Sequence, residues 1–280
     1  MTDLPTLAET VRRHGLITSK ALGQHFLLDL NLTRRIVRQA GELAGADVVE
    51  VGPGPGGLTR ALLESPCRQV FAVEKDRRCL TALAELAAAY PGRLAIIEGD
   101  ALKLETAALG RAPRHVVANL PYNVGSELLV GWLHALAADP AVLAGLTLMF
   151  QKEVALRLAA RPRSADYGRL SILTQWLCEV RLAFDVKPAA FVPPPQVTST
   201  VVRLVPRAQP LAAAALADLE RITAATFGQR RKMLRQSLRQ LTPHPEALLA
   251  AAGIEPTRRP EELDVEAFCR LARLLRQPGL

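Results

Sequence analysis

The chain has 280 residues, 49% of them hydrophobic and 22% charged, with a formal net charge of +8. This composition excludes a disordered polar chain, and the alanine-rich stretches are too short and too often charged to cross a bilayer. A globular protein with such an excess of Lys and Arg favours a polyanionic partner, because each cation releases counterions from phosphate.

Met1 to Leu16 carries Asp3, Glu9, Arg12 and Arg13 and has no continuous apolar stretch, so a signal peptide is not expected. The cysteines, at 67, 79, 178 and 269, do not lie at metal-ligand spacing, so no metal is expected and a reduced cytoplasmic setting fits. Gly23-Gln24-His25-Phe26 precedes a helix expected to begin near Asn31. Val48–Val51 reads as a buried strand running into the glycine-dense turn Gly52–Gly57. Glycines there permit positive φ and let a ligand lie against backbone. Leu58–Leu63 has helical composition, and the next strand, Val70–Val73, is closed by Glu74. A carboxylate 22 residues after Gly52 can accept both hydroxyls of a ribose. Dinucleotide enzymes share that pairing, so it leaves the cofactor class open.

Arg77–Ala89 reads as a helix and Leu94–Glu98 as a third strand. Asp100 follows it, where a carboxylate either accepts from an adenine amine or caps a turn before Leu102. The fourth strand, Val116–Asn119, ends in Asn119-Leu120-Pro121-Tyr122. An aromatic amine is a poor nucleophile because its lone pair is delocalised into the ring. The Asn119 side-chain oxygen and the Leu120 carbonyl, placed near the amine hydrogens, draw that lone pair out of conjugation. Pro121 stiffens the turn, and Tyr122 stacks on an extruded base. An activated methyl donor then needs alignment more than a strong base.

Glu127–Ala137 is helical and Leu146–Phe150 is a fifth strand. Strand–helix alternation of this kind predicts a mostly parallel sheet covered by helices. Arg157, Arg161 and Arg163 form a basic cluster before Tyr167. Two further strands are expected near Val180–Val186 and Thr198–Val205. The proline-rich stretch between them is too short for a crossover helix, which predicts antiparallel pairing. Phe191 on that stretch reads as a second aromatic covering the target base, or as a core residue. Pro206 and Pro210 mark a boundary, giving an α/β domain over 1–206 and a helical domain over 207–280. Within the latter, 229–239 reads as one helix with Arg231, Arg235 and Arg239 on a single face beside Lys232. Leu234, Leu238 and Leu241 fall on another. That stripe and the 157–163 cluster are the expected RNA-binding surface.

With these residues in place, the chain resembles the ribosomal RNA adenine N6-dimethyltransferase family, most closely its bacterial small-subunit branch. The likeness covers nearly the whole length: Lys20–Leu27, Glu50–Gly57, Val73–Asp76, Gly99–Ala101, Asn119–Tyr122, Gln151–Val154, Tyr167–Ser171, Phe191–Val197 and Phe227–Lys232. The resemblance implies a class I S-adenosylmethionine-dependent methyltransferase fold, Rossmann-like, with a seven-stranded mostly parallel sheet and a small C-terminal helical domain. It implies S-adenosylmethionine as methyl donor, with contacts on His25, Leu27, Gly52, Glu74, Asp100 and Asn119. His25 stands where many relatives have Asn. It also implies a monomer that dimethylates two adjacent adenosines near the 3′ end of 16S rRNA in a 30S or pre-30S particle.

Three other readings compete. A nicotinamide oxidoreductase shares the glycine turn and Glu74 but leaves Asn119–Tyr122 without a role. An adenine methyltransferase acting on DNA or on large-subunit rRNA shares the tetrapeptide, and the segments at 167–171 and 227–232 favour the small-subunit enzyme over it. The intact catalytic segment argues against a purely non-enzymatic assembly factor, while a checkpoint role can coexist with catalysis.

Overall fold

The computed structural model of the protein describes residues 4–16, 24–105 and 109–276; Lys20 to Gly23 of the motif above lie outside them. Helix α1 (Leu7–Arg13) starts with a capping box: the Thr6 hydroxyl accepts from the Glu9 amide, and the Glu9 carboxylate accepts from the Thr6 amide. A short strand β1 (Phe26–Leu27) and helix α2 (Leu30–Val37) follow. The alternating region is β2 (Asp47–Val51), α3 (Gly57–Leu63), β3 (Gln69–Glu74), α4 (Arg77–Ala89), β4 (Leu94–Glu98), β5 (Arg114–Asn119), α5 (Gly125–Ala138) and β6 (Gly145–Gln151). Each of its five strands lies within two residues of where β-branched runs predict it. Then come α6 (Lys152–Ala159), α7 (Arg169–Leu177), β7 (Cys178–Val186), the two-residue β8 (Phe191–Val192) and β9 (Ser199–Pro206).

Seven strands form one sheet in the order β4-β3-β2-β5-β6-β9-β7. β4, β3, β2, β5 and β6 are mutually parallel, and β9 joins β6 antiparallel. The strands expected at 180–186 and 198–205 are neighbours in this sheet. β2 lies near the middle and is buried along its whole length, which fits the valines at 48, 49 and 51. Its two acids are treated differently. Asp47 is held by the Arg68 guanidinium at 2.8 Å and by the Arg111 amide, whereas Glu50 Oε2 has no hydrogen-bond partner. The chain winds outward from β2 to β4 and then returns to place β5 on the other side of β2. That reversal opens a crevice at the carboxyl ends of β2 and β5. The core behind it includes Val48, Leu62, Val70, Val117 and Met149.

The chain forms two compact units: Met1–Ala155 with Arg181–Pro206, and Leu156–Val180 with Arg207–Leu280. A single cut after Pro206 differs from this by the segment Leu156–Val180. The physical reason is an aromatic cluster: Tyr167 is fully buried edge-on to Phe227, which in turn packs on Phe268. The second unit is otherwise helical, with α8 (Leu216–Phe227), α9 (Leu234–Ser237), α10 (Pro245–Ala251) and α11 (Val265–Leu274).

The continuous helix expected over 229–239 is not present. Residues 229–232 form turns, Met233 is extended, and α9 is a single turn followed by a 3-10 turn over Leu238–Gln240. The amides of Leu234 and Arg235 donate to the carbonyls of Arg258 and Pro256 rather than to the preceding turn. Arg231, Arg235 and Arg239 therefore do not share one helix face. Of the three leucines expected on the apolar face, Leu234 and Leu238 are fully buried and Leu241 is half-buried. No described helix is long and apolar enough to cross a membrane.

Candidate active site

The first unit carries a cleft at the carboxyl ends of β2, β3, β4 and β5. Its floor is the turn after β2, where Gly52, Gly54 and Gly56 all take positive φ. Gly57 opens α3 against the carbonyl of Leu27, and a Cβ there would lie 2.2 Å from that oxygen. The glycine run thus serves two purposes: it turns the chain sharply, and it lets β1 lie directly across the turn.

Glu74 ends β3 and is 5% exposed. One carboxylate oxygen accepts from the Gly54 amide at 2.9 Å, the other from the Asp76 amide at 2.7 Å. Burial raises its pKa, opposed by those amides. Glu74 also lines the cleft. Asp100 lies at the end of β4. One oxygen caps the 3-10 turn through the Leu102 amide, and the other pairs with Lys75 Nζ at 2.8 Å. Lys75 holds the Asp100 carboxyl below its usual range. Asp100 therefore caps a turn, as the second of its two readings expects, and it also lines the cleft.

Asn119, at the exit of β5, donates its side-chain amide to the His25 carbonyl at 3.0 Å. That bond fixes which end of the amide is which, leaving Oδ1 as the acceptor. The carbonyl of Pro121 closes the following turn by accepting from Val124 and Gly125. Tyr122 shares a 2.6 Å hydrogen bond with Ser199 of β9, which anchors the outer end of its ring. Burial raises the Tyr122 pKa, so the phenol stays protonated.

Residues 24–27 form a strap over the cleft. Gln24 donates to Asp76 at 2.9 Å. His25 Nδ1 lies 2.8 Å from the Pro193 carbonyl, which can only accept, so Nδ1 carries the hydrogen. β1 pairs antiparallel with β8, matching Phe26 to Val192 and Leu27 to Phe191. His25 also stands 5.3 Å from the Tyr122 ring, centroid to centroid.

The cleft gathers His25, Leu27, Gly52, Glu74 and Asp100 with all four residues of Asn119–Tyr122. Phe191 is not among its lining residues. It is 2% exposed and packs in the core cluster, because alternation along β8 turns Phe191 inward and Val192 outward. Its reading as the second base-stacking aromatic is corrected to that of a core residue. The basic residues all lie in the second unit. Arg157, Arg161, Arg163, Arg231, Lys232 and Arg239 are exposed, while Arg235 is half-buried with Glu246 at 4.0 Å.

Three contributors were not singled out from sequence. Lys75 and Ser199 act through Asp100 and Tyr122, and neither stands out from its surroundings in the chain. Glu50 lines the cleft 1% exposed. A charged residue inside an otherwise apolar central strand was the available signal for it.

A family model described as ribosomal RNA adenine dimethylase matches residues 17–277. Ribosomal RNA small subunit methyltransferase A of Rhodospirillum rubrum is 60% identical over 277 residues, 99% of this chain and 94% of that one. The protein of the same name from Azorhizobium caulinodans is 61% identical over 273 residues, 96% and 92% of the two chains. Among solved structures, a dimethyladenosine transferase from Plasmodium falciparum shares the fold (TM-score 0.73, 23% identity, 88% of this chain and 96% of that one). The 23S rRNA methyltransferase ErmE is 30% identical with a TM-score of 0.67, over 90% of this chain and all of its own. The glycine turn, the acids ending β3 and β4 and the Asn119–Tyr122 exit thus stand in a chain that belongs to the ribosomal RNA adenine dimethylase family.

Proposed function

We propose that this enzyme transfers methyl groups from S-adenosylmethionine to N6 of two adjacent adenosines near the 3′ end of 16S rRNA, acting as a cytoplasmic monomer on a 30S or pre-30S particle. The observation that carries the chemistry is the orientation of Asn119, whose amide nitrogen is committed to the strap and whose oxygen is left for an amine. The residues fit the donor: Glu74 offers lone pairs to a ribose diol, Asp100 a carboxylate to an adenine amine, and the glycine turn a close backbone approach. When bound, the donor supplies a methyl group on a sulfonium that needs no further activation.

The remaining work belongs to the chain. Asn119 Oδ1 and the Leu120 carbonyl accept the hydrogens of the target amine and localise its lone pair toward the donor. Pro121 and the turn behind it hold those acceptors in place before substrate arrives, so reorganisation is small. Tyr122, anchored through Ser199, offers a ring face to an extruded adenine. The strap shields the cleft from water. The relatives' name favours the small subunit over the large one. Exposed basic residues of the second unit then serve as phosphate contacts.

The reading is tested by methyl transfer from labelled donor to 30S particles lacking the modification, with the modified nucleotides mapped. Label on two adjacent adenosines near the 3′ end is expected. Label confined to large-subunit rRNA or DNA would overturn the substrate assignment. Calorimetry is expected to show binding of S-adenosylmethionine and none of NAD.

A further inference from the structure

Glu50 brings a buried carboxyl to the cleft with no cation among the described residues to match its charge. It sits on β2, two residues before Gly52, and is 1% exposed. Its Oε2 makes no hydrogen bond, and no Lys or Arg among the described residues pairs with it. Thr59 from α3 faces it with a hydroxyl whose oxygen is likewise unpartnered. Glu74 from β3 adds a like charge, β5 contributes the uncharged Asn119 to the same cleft, and the strap contributes His25.

An isolated carboxylate in that setting is costly, and the cost falls if the group is neutral or if a cation arrives. The proposed donor carries two cationic centres, its sulfonium and its α-ammonium. We infer that Glu50 holds a proton while the cleft is free of donor and yields it to solvent when a donor cation enters, coupling donor binding to release of one proton. The O–H bond of the carboxyl breaks, the proton passes to buffer, and the carboxylate left behind pairs with the donor. Burial pushes the Glu50 carboxyl up to about 8, and the neighbouring Glu74 carboxylate adds to the shift. Near neutral pH the free protein therefore carries the proton. The inference rests on the donor reading above and adds to it a protonation change that binding alone does not require.

The test is calorimetric titration of the full chain at pH 6.5 in buffers of different ionisation enthalpy. At that pH a donor α-ammonium remains charged. S-adenosylmethionine is expected to release close to one proton per molecule bound, and adenosine, which has neither cation, none. Release with S-adenosylhomocysteine as well would assign the pairing to the ammonium; release with the sulfonium compound alone would assign it to sulfur. Glu50→Gln is expected to bind the donor more weakly, by roughly tenfold, with no proton released. Where that variant fails to fold, the infrared difference spectrum of the wild type serves, because a carboxylic acid C=O band should disappear on donor binding. Donor binding without proton release, or equal release from Glu50→Gln, would overturn the inference and leave the donor reading standing. Absence of any donor binding by the wild type would remove both.

Discussion

At the level of single residues the proposed chemistry turns on Asn119, whose nitrogen ties down the strap and whose oxygen is proposed to accept from the target amine. Asn119→Ala removes both. Turnover on 30S particles should fall by about 100-fold or more, the scale seen when one preorganised polar group is lost from a reacting centre. Donor affinity should fall much less, because Glu74 and Asp100 remain. Single-turnover rates and equilibrium donor binding, measured side by side, separate the two effects. Glu50 gives a second prediction. Its carboxyl is raised from the ordinary range to about 8, so the folded state holds the proton more tightly than the unfolded chain. Its stabilising contribution is fully present below about pH 4.5 and is lost as pH rises toward 8. Thermal melts of the donor-free protein over that window should show this decline, and Glu50→Gln should lack that component.

The strap shows at the level of elements what the sequence does and does not make visible. Alternating strands and helices were legible because β-branched runs such as Val70–Val73 have no other stable use, and the ends of β2 to β5 then placed Gly52, Glu74, Asp100 and Asn119 together. The strap was legible only through resemblance: a two-residue strand has no periodicity, and its register partners, Val192 for Phe26 and Phe191 for Leu27, lie 166 and 164 residues further on. Phe191 misled for a related reason, since an aromatic beside prolines looks exposed until strand pairing shows which way it turns. The 229–239 stretch misled because its leucine spacing fits a helix while its amides are claimed by 256–258. Gly57 supplies the element-scale test. A Cβ at this position meets the Leu27 carbonyl, which belongs to backbone and cannot swing aside. Gly57→Ala should cost about 1–3 kcal/mol of stability, as overpacking does, and raise the donor KM by displacing β1. Asp76 is the milder counterpart. Arg78 and Gln24 hold its carboxyl down at about 2, while it caps α4 through the Arg78 amide. Asp76→Ala should lose about 1 kcal/mol, a loss that disappears as the pH falls from about 4 toward 2 and the wild-type carboxyl itself is protonated.

For the whole molecule, the net charge of +8 was readable from composition, and the residues thought to use it all fall in the second unit. They are dispersed over turns and short helices, so they act as separate phosphate contacts. The double variant Arg231→Glu/Lys232→Glu should weaken binding to pre-30S particles. It should also reduce the slope of log affinity against log salt by roughly 1.5–2, the amount expected for two lost contacts. An unchanged slope would move the RNA-binding face elsewhere. The account as a whole depends on the cleft at the sheet's carboxyl edge being where the methyl donor lies. A crystal structure of the chain with S-adenosylhomocysteine tests that most directly. The prediction is a ribose diol on Glu74, the adenine amine at Asp100 and the sulfur between the glycine turn and Asn119. Density for the ligand anywhere else, with Glu74 and Asn119 untouched, would contradict it.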